Sequence, residues 1–357
     1  MHKNLYIPGP VDVRPEVLKA FSKPMIGHRT KDISALQERI SKNLQKIFHT
    51  ENHILLSSSS GTGLMEGSIR SFTAKRACVF SVGAFGNRWA QLAKTNNVPV
   101  DKVEADWGNP TTPEIVDEYL STGKYDVFTV THNETSTGVM NPMEAIAEVR
   151  KKYPDVLWLV DSVSAMAGAK LEVDKLGIDA CMTSTQKCLG LPPGMSAIAV
   201  SQAALARAKT VEFRGFYFDI LKLYDFVIKK PYQYPTTPSL PHMFGLDVQL
   251  DYILNEEGLE NRYARHKAMA ETVRKWALDN GFELLAGDGF RSNTVTTIKN
   301  TRGISVADLN KKLAEKGYMI SNGYGSLKEK TFRIAHMADR KPEDLKVLLK
   351  AIEELIG

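Results

Sequence analysis

Apolar positions recur along this chain at two distinct spacings. Between Ser34 and Phe48, Leu36, Ile40, Leu44, Ile47 and Phe48 fall at helical intervals, which predicts an amphipathic helix. Short apolar runs read instead as strands: Ile54-Leu55-Leu56, Ala77 to Val82, Tyr125 to Thr131 and Val156 to Val160. Helix-prone stretches lie among them, Leu64 to Phe72 and Pro142 to Tyr153, the latter with Met143, Ile146, Ala147 and Val149 on one face. Nearly continuous apolar strands alternating with helices predict a parallel sheet covered on both faces.

The pattern changes toward the end of the chain. Glu260 to Leu278 is a long polar helix candidate, and Thr294 to Ile298 alternates like a strand. Ser305 to Lys316 reads as a helix with Ser305 and Asp308 as a capping pair. Thr331 to Ala335 is then a strand, and Pro342 to Ile356 a closing helix with proline in its first turn. This α+β segment predicts a second, smaller domain. The length of 357 residues agrees, at about 150 residues per domain.

Composition narrows the class. With 43% hydrophobic and 24% charged residues, a largely disordered chain is excluded. The net charge of +5 is spread thinly, without the Lys/Arg run of a nucleic-acid-binding tail, and is compatible with small anionic substrates. No apolar stretch approaches the ~20 residues of a membrane span. Met1-His2-Lys3-Asn4 leads into Pro8-Gly9-Pro10 without the apolar core of a signal peptide. Cys78, Cys181 and Cys188 are odd in number and form no C-x-x-C pair, so neither a disulfide framework nor a metal site is expected. These features predict a cytoplasmic protein without nucleic-acid or membrane partners.

Open α/β sheets bind ligands outside the carboxyl ends of their strands, which selects three loops. Ser57-Ser58-Ser59-Ser60-Gly61-Thr62-Gly63 joins a strand to a helix, where small residues and free N–H groups suit an anion. It matches neither a P-loop nor G-x-G-x-x-G, and a plain flexible turn would look the same. Asp161 ends the strand Leu157-Trp158-Leu159-Val160, as a semi-buried carboxylate or as a simple helix cap. Lys187, in Thr185-Gln186-Lys187-Cys188, is a Schiff-base candidate or one more solvated lysine. Together the three suit pyridoxal phosphate, which needs an anion site, a carboxylate facing its ring nitrogen and an amine for its aldehyde. A nicotinamide-linked dehydrogenase is the rival at the level of fold, opposed by the failed glycine spacing.

The chain resembles the class V aminotransferases of the fold type I pyridoxal-phosphate enzymes, in particular the serine–pyruvate/alanine–glyoxylate aminotransferase group. The resemblance runs nearly end to end through Pro8-Gly9-Pro10, Gly27-His28-Arg29, Ser60-Gly61-Thr62-Gly63 with Met65-Glu66, and Gly83-x-Phe85-Gly86-x-Arg88. It continues with Thr131-His132-x-Glu134-Thr135-Ser136-Thr137-Gly138, Asp161-Ser162-Val163-Ser164, and Ser184-x-Gln186-Lys187 before Pro192-Pro193-Gly194. The fold it implies is α/β, fold type I, with a mostly parallel sheet sandwiched by helices in a large domain (16–252) and a smaller C-terminal α+β domain (253–357). Residues 1–15 would form a segment packing near the active site.

The resemblance also implies roles. Lys187 would form the Schiff base and move the proton, and Asp161 would keep the pyridinium nitrogen protonated. Gly61, Thr62 and Gln186 would hold the phosphate, and Thr135 would bond the ring's polar edge. Phe85 stands where many relatives place a tryptophan that stacks on the ring. Tyr234 and Thr237 would reach the phosphate of a partner subunit, the family being dimeric with shared sites. Arg333 would clamp the substrate α-carboxylate, for which a guanidinium offers a bidentate fork. Gly9, His28 and Arg29 would lie on the substrate side.

The activity implied is transfer of an amino group from serine or alanine to glyoxylate or pyruvate, by a ping-pong mechanism. Phosphoserine aminotransferases use a similar His-Arg pair for a substrate phosphate, which keeps phosphoserine with 2-oxoglutarate as the alternative. A cysteine desulfurase normally has histidine before the lysine and a later nucleophilic cysteine. Here Gln186 precedes Lys187 and no cysteine follows Cys188. A catalytically silent module would not need Lys187, Asp161 and Arg333 together.

Overall fold

Side chains along the central strands alternate between two faces, and both faces are apolar. In the computed structural model, which describes residues 2–357, Phe128, Val130, Trp158 and Val160 join one buried cluster while Val127, Leu157 and Leu159 join another. Phe128 and Trp158 stack across adjacent strands with ring centroids 5.5 Å apart. Period-two alternation into two apolar sets is what a sheet covered by helices on both sides requires.

The sheet has seven strands in the order His53–Ser57, Ser196–Val200, Ala180–Ser184, Leu157–Asp161, Val127–Thr131, Ala77–Ser81 and Val100–Glu104. Ser196–Val200 runs antiparallel to both neighbours and the other pairs are parallel. Register sets Asp161 beside Thr131 on one side and Met182 on the other, so three strands deliver their ends to one edge. The Lys31–Phe48 helix buries Ile33, Leu36, Ile40, Leu44 and Ile47, and stops at His49 in the left-handed region.

One helix differs from its sequence pattern in a way that matters for the site. It spans Gly61–Phe72, starting three residues before Leu64, so the glycines form its first turn rather than a preceding loop. The N-cap, Ser60, makes no side-chain cap bond. Gly63 N donates to Ser60 O at 3.0 Å, which leaves the N–H groups of Gly61 and Thr62 for another acceptor.

A smaller C-terminal subdomain carries a second sheet of five strands, ordered Asn4–Tyr6, Tyr318–Asn322, Thr331–Ala335, Val295–Lys299 and Glu283–Leu284. Its core includes Met269, Val273, Phe332, Ile334, Leu345 and Leu348, contributed by the sheet and by the helices Leu259–Asp279 and Pro342–Ile356. In the Val306–Glu315 helix, Ser305 Oγ accepts from Asp308 N at 3.2 Å. The Asn4–Tyr6 strand pairs in parallel with Tyr318–Ile320, so the start of the chain completes this sheet. It then passes directly to Pro8, at the edge of the main sheet's loops.

A buried cation ties the subdomain to those loops. Arg262 is fully buried and donates from Nη1 to Glu257 at 2.5 Å and Asp339 at 2.7 Å, and from Nη2 to Cys188 O at 2.6 Å. A charge taken out of water needs such partners to be tolerated. Among the described residues, no helix is long and apolar enough to cross a membrane.

Candidate active site

Asp161, the last residue of its strand, is only 3% exposed. Its Oδ1 accepts from Val163 N at 2.8 Å, and among the described residues no cation pairs with it. Burial pushes its carboxyl up to about 6, against the pull of Val163 N, Lys187 and Arg88. A buried carboxylate lacking a cation is costly, and a protonated ring nitrogen placed opposite would remove that cost.

Asp161 lines a cavity with about 540 Å³ of empty space, shared with Gly61, Thr62, Phe85, Thr135, Gln186 and Lys187. Lys187 Nζ donates to Pro8 O. Burial pushes this amine down to about 8, despite the attraction of Asp161. A neutral, nucleophilic amine is therefore accessible close to neutral pH. Gly9 has φ +87°, and a Cβ there would come within 2.8 Å of Lys187 Cδ and 2.9 Å of Gln186 O. Glycine lets the N-terminal segment lie against the lysine stem.

The start of the Gly61–Phe72 helix forms one end of the cavity. A Cβ on Gly61 would meet Val163 Cγ2 at 2.5 Å, so only glycine leaves the floor of this cradle in place. Gln186 Oε1 accepts from Ser184 Oγ at 2.5 Å, which fixes the amide and leaves its nitrogen to donate. Arg88 adds a cation: its Nη1 donates to Thr62 Oγ1 at 3.3 Å, and its Cζ lies 4.9 Å from the Phe85 ring centroid. Free helix N–H groups, an amide and a guanidinium make an anion site suited to phosphate.

The ring face is set by Glu134, which is fully buried. Its Oε2 accepts from Phe85 N and Gly86 N, each at 3.0 Å, and Oε1 accepts from Ser136 N at 3.0 Å and Ser136 Oγ at 2.6 Å. A carboxylate at the start of the Ala84–Thr95 helix thus pins Phe85 over the cavity. Thr135 Oγ1 shares a 2.6 Å hydrogen bond with Ser164 Oγ.

Arg333 lies on the Thr331–Ala335 strand, 8% exposed. Its Nε and Nη2 donate to Asn322 O at 3.2 and 3.1 Å, and Nη1 donates to Thr135 O at 3.2 Å. These bonds use three of five N–H donors and leave one on each terminal nitrogen, the pair a carboxylate takes. Burial lowers its guanidinium to about 10, and among the described residues no carboxylate forms an ion pair with it.

The remaining sequence-derived residues lie apart from this cavity. Arg29 donates to Tyr234 O, to Pro235 O at 3.3 Å and to Thr236 O at 3.4 Å, so it braces that loop. His28 is half-buried beside it in sequence. Tyr234 is buried, its hydroxyl accepting from Ser58 N at 3.1 Å, while Thr237 is exposed. Arg88, Val163 and Ser164 line the cavity although sequence reasoning gave them no role. Arg88 had a signal, since it sits three residues after Phe85 on the same helix face.

Pyridoxal phosphate fits these residues: a buried carboxylate without a cation, an amine whose pKa burial lowers, and an anion cradle that a Cβ would fill. The family model described as aminotransferase class-V matches residues 16–347. The chain is 40% identical to an uncharacterized aminotransferase of Methanocaldococcus jannaschii, over 98% of this chain and 92% of that one. It is 31% identical to a serine–glyoxylate aminotransferase of Arabidopsis thaliana, over 99% of this chain and 90% of the relative. The crystal structure of an alanine–glyoxylate aminotransferase from Nostoc superposes with a TM-score of 0.94 at 27% identity, covering 100% of this chain and 96% of that one.

Proposed function

The chain belongs to the class-V aminotransferases, pyridoxal-phosphate enzymes of fold type I, and from that membership we propose that its substrates are small: serine or alanine as amino donor, glyoxylate or pyruvate as acceptor. The observation that carries the reading is one cavity lined by both Lys187 and Asp161, with Arg333 bonded to the carbonyl of Thr135, another of its lining residues. Serine, alanine and glyoxylate come from the names of relatives and a structural neighbour.

When bound, pyridoxal phosphate supplies an aldehyde that takes the amino group and a protonated ring that accepts the electrons released at the substrate Cα. Gly61 and Thr62 N–H groups, with Gln186 and Arg88, hold the phosphate. Asp161 keeps its charge opposite the ring nitrogen, and Phe85 covers one face. Arg333, held by Asn322 O and Thr135 O, would take the substrate carboxylate and so orient the substrate Cα. Lys187 Nζ would be the amine that holds the aldehyde and, once free, the base placed to take the proton from the substrate Cα. The same residues would serve the second half of the exchange, in which the oxo-acid acceptor gains the amino group that the donor gave up.

We also propose a homodimer in which the segment from Tyr234 to Thr237 approaches the partner's phosphate site. Phe213 and Phe216, close in sequence and 80% and 70% exposed, are large apolar side chains that a partner could cover. Phosphoserine with 2-oxoglutarate is the alternative; against it stands Arg29, which is engaged by the backbone carbonyls of Tyr234, Pro235 and Thr236. Cys188 is buried with its thiol pushed up to about 11, which does not suit desulfurase chemistry. The test is a donor panel of serine, alanine, aspartate and phosphoserine against glyoxylate, pyruvate and 2-oxoglutarate. Preference for phosphoserine with 2-oxoglutarate would replace the small-donor reading.

A further inference from the structure

Tyr324 stands where the two halves of the site meet. Its ring centroid is 5.9 Å from that of Phe85, the residue over the cofactor cavity, and 5.5 Å from Arg333 Cζ, the group facing the substrate carboxylate. Tyr324 thus stands between the residue over the cofactor cavity and the residue assigned to the substrate carboxylate, so a substrate reaching from one to the other would pass beside its ring. Tyr324 is half-buried, on a turn of the C-terminal subdomain rather than on the sheet that carries the chemistry.

That turn is held firmly. Asn322 donates from Nδ2 to Glu329 and accepts on Oδ1 from Glu329 N at 2.8 Å and Gly323 N at 2.7 Å. Gly323 N also lies 2.8 Å from Thr331 O, and Leu327 N donates to Tyr324 O at 3.0 Å. A Cβ on Gly323 would fall 2.0 Å from Leu327 O, so the backbone path depends on glycine there. The carbonyl of Asn322 is the one that orients Arg333. One braced turn thus fixes both the carboxylate clamp and the aromatic ring beside it.

We infer that Tyr324 is the specificity-determining residue of this site, its ring between Phe85 and Arg333 closing off the space beyond a short substrate side chain. The inference rests on the aminotransferase reading and deepens it by assigning the preference for small donors to one side chain. Exclusion of this kind acts by sterics, and each methylene accommodated or refused in an apolar space changes kcat/KM by about tenfold or more.

The test compares ratios, because a variant that only loosens the fold lowers the rate for every donor together. Half-reaction rates with alanine, serine and norleucine are measured on cofactor-loaded wild type, Tyr324→Ala and Tyr324→Trp. Tyr324→Ala is expected to raise the norleucine-to-alanine ratio by roughly tenfold or more, and Tyr324→Trp to lower the serine-to-alanine ratio. A wild-type preference for alanine that both variants keep within about twofold overturns the assignment of Tyr324 alone. A wild type that prefers norleucine overturns the small-donor reading and the inference with it.

Discussion

Arg333 and Asn322 are joined twice through one oxygen: Nε and Nη2 both donate to Asn322 O, at 3.2 and 3.1 Å. The guanidinium plane is therefore set by backbone before any substrate arrives. With Nη1 on Thr135 O, the side chain also spans from the C-terminal subdomain to the main sheet's loops. Such preorganisation lowers the ordering cost of binding a carboxylate.

Arg333→Lys keeps a positive charge and loses that geometry. An ammonium cannot bond Asn322 O, Thr135 O and both carboxylate oxygens at once. We expect kcat/KM to fall about a hundredfold, equivalent to a lost charge-assisted pair of about 2 to 3 kcal/mol, with cofactor affinity unchanged. Steady-state kinetics beside a cofactor titration check this. Equal losses in both would place Arg333 in the fold rather than at the substrate.

Lys187 should react as a neutral amine well below the ordinary lysine range. Its pKa is pushed down to about 8 by burial, so its reactivity levels off above that pH. Reductive methylation of cofactor-free protein, followed site by site by mass spectrometry, gives the profile. Half-maximal labelling of Lys187 near pH 8 is expected, while surface lysines continue to climb toward their usual 10.5. A Lys187 rate still rising steeply past about pH 9 contradicts the burial argument.

Asp161 makes cofactor-free stability depend on pH in a definite direction. Its carboxyl titrates at about 6 when folded against an ordinary 3.8, so the folded state binds more protons between those values. Stability contributed by the neutral acid is complete below about 4 and is lost as pH rises through 6, a swing of about 3 kcal/mol. Asp161→Asn should remove the Asp161 part of that slope and leave cofactor-free protein more stable than wild type above pH 6. Activity should fall on the order of a hundredfold or more, since the amide cannot hold the ring nitrogen's charge. Urea unfolding of both proteins across this range decides; parallel slopes would reject the assignment.

Much of the main sheet was legible because its strands are buried on both faces and so read as unbroken apolar runs. Thr331–Ala335, buried throughout, coincides with its pattern for the same reason, and the closing helix Pro342–Ile356 does so through the helical spacing of its buried face behind a first-turn proline. The strand Val100–Glu104 was not legible: it is the sheet's edge, and its Val-Asp-Lys-Val-Glu composition carries three charges. Asn4–Tyr6 gave no signal either, since a three-residue strand acquires its meaning only from pairing with Tyr318–Ile320, far away in sequence. At the site, Asp161 and Lys187 were recognisable as strand-end and loop chemistry. Tyr324 was not, because its position against Phe85 and Arg333 depends on how the subdomain docks.

That docking runs through Arg262, whose removal should be costly. Arg262→Met keeps most of the side-chain volume and deletes a fully buried cation. Glu257 keeps Arg265 as a partner at 2.7 Å and Asp339 keeps Gln249 at 2.9 Å, but Cys188 O loses a 2.6 Å donor. Breaking one member of a buried charge network costs about 3 to 5 kcal/mol. Urea unfolding should show a loss of this size. Cofactor affinity should also fall, because the residue whose carbonyl is released follows Lys187 directly. Arg262→Lys restores the charge without the fork that reaches both acids and Cys188 O, so it should recover only part of each loss. If Arg262→Met unfolds at the wild-type urea midpoint, the network does not hold the subdomain to the lysine loop. If stability falls while cofactor affinity stays intact, the link from Arg262 through Cys188 to Lys187 is structural only.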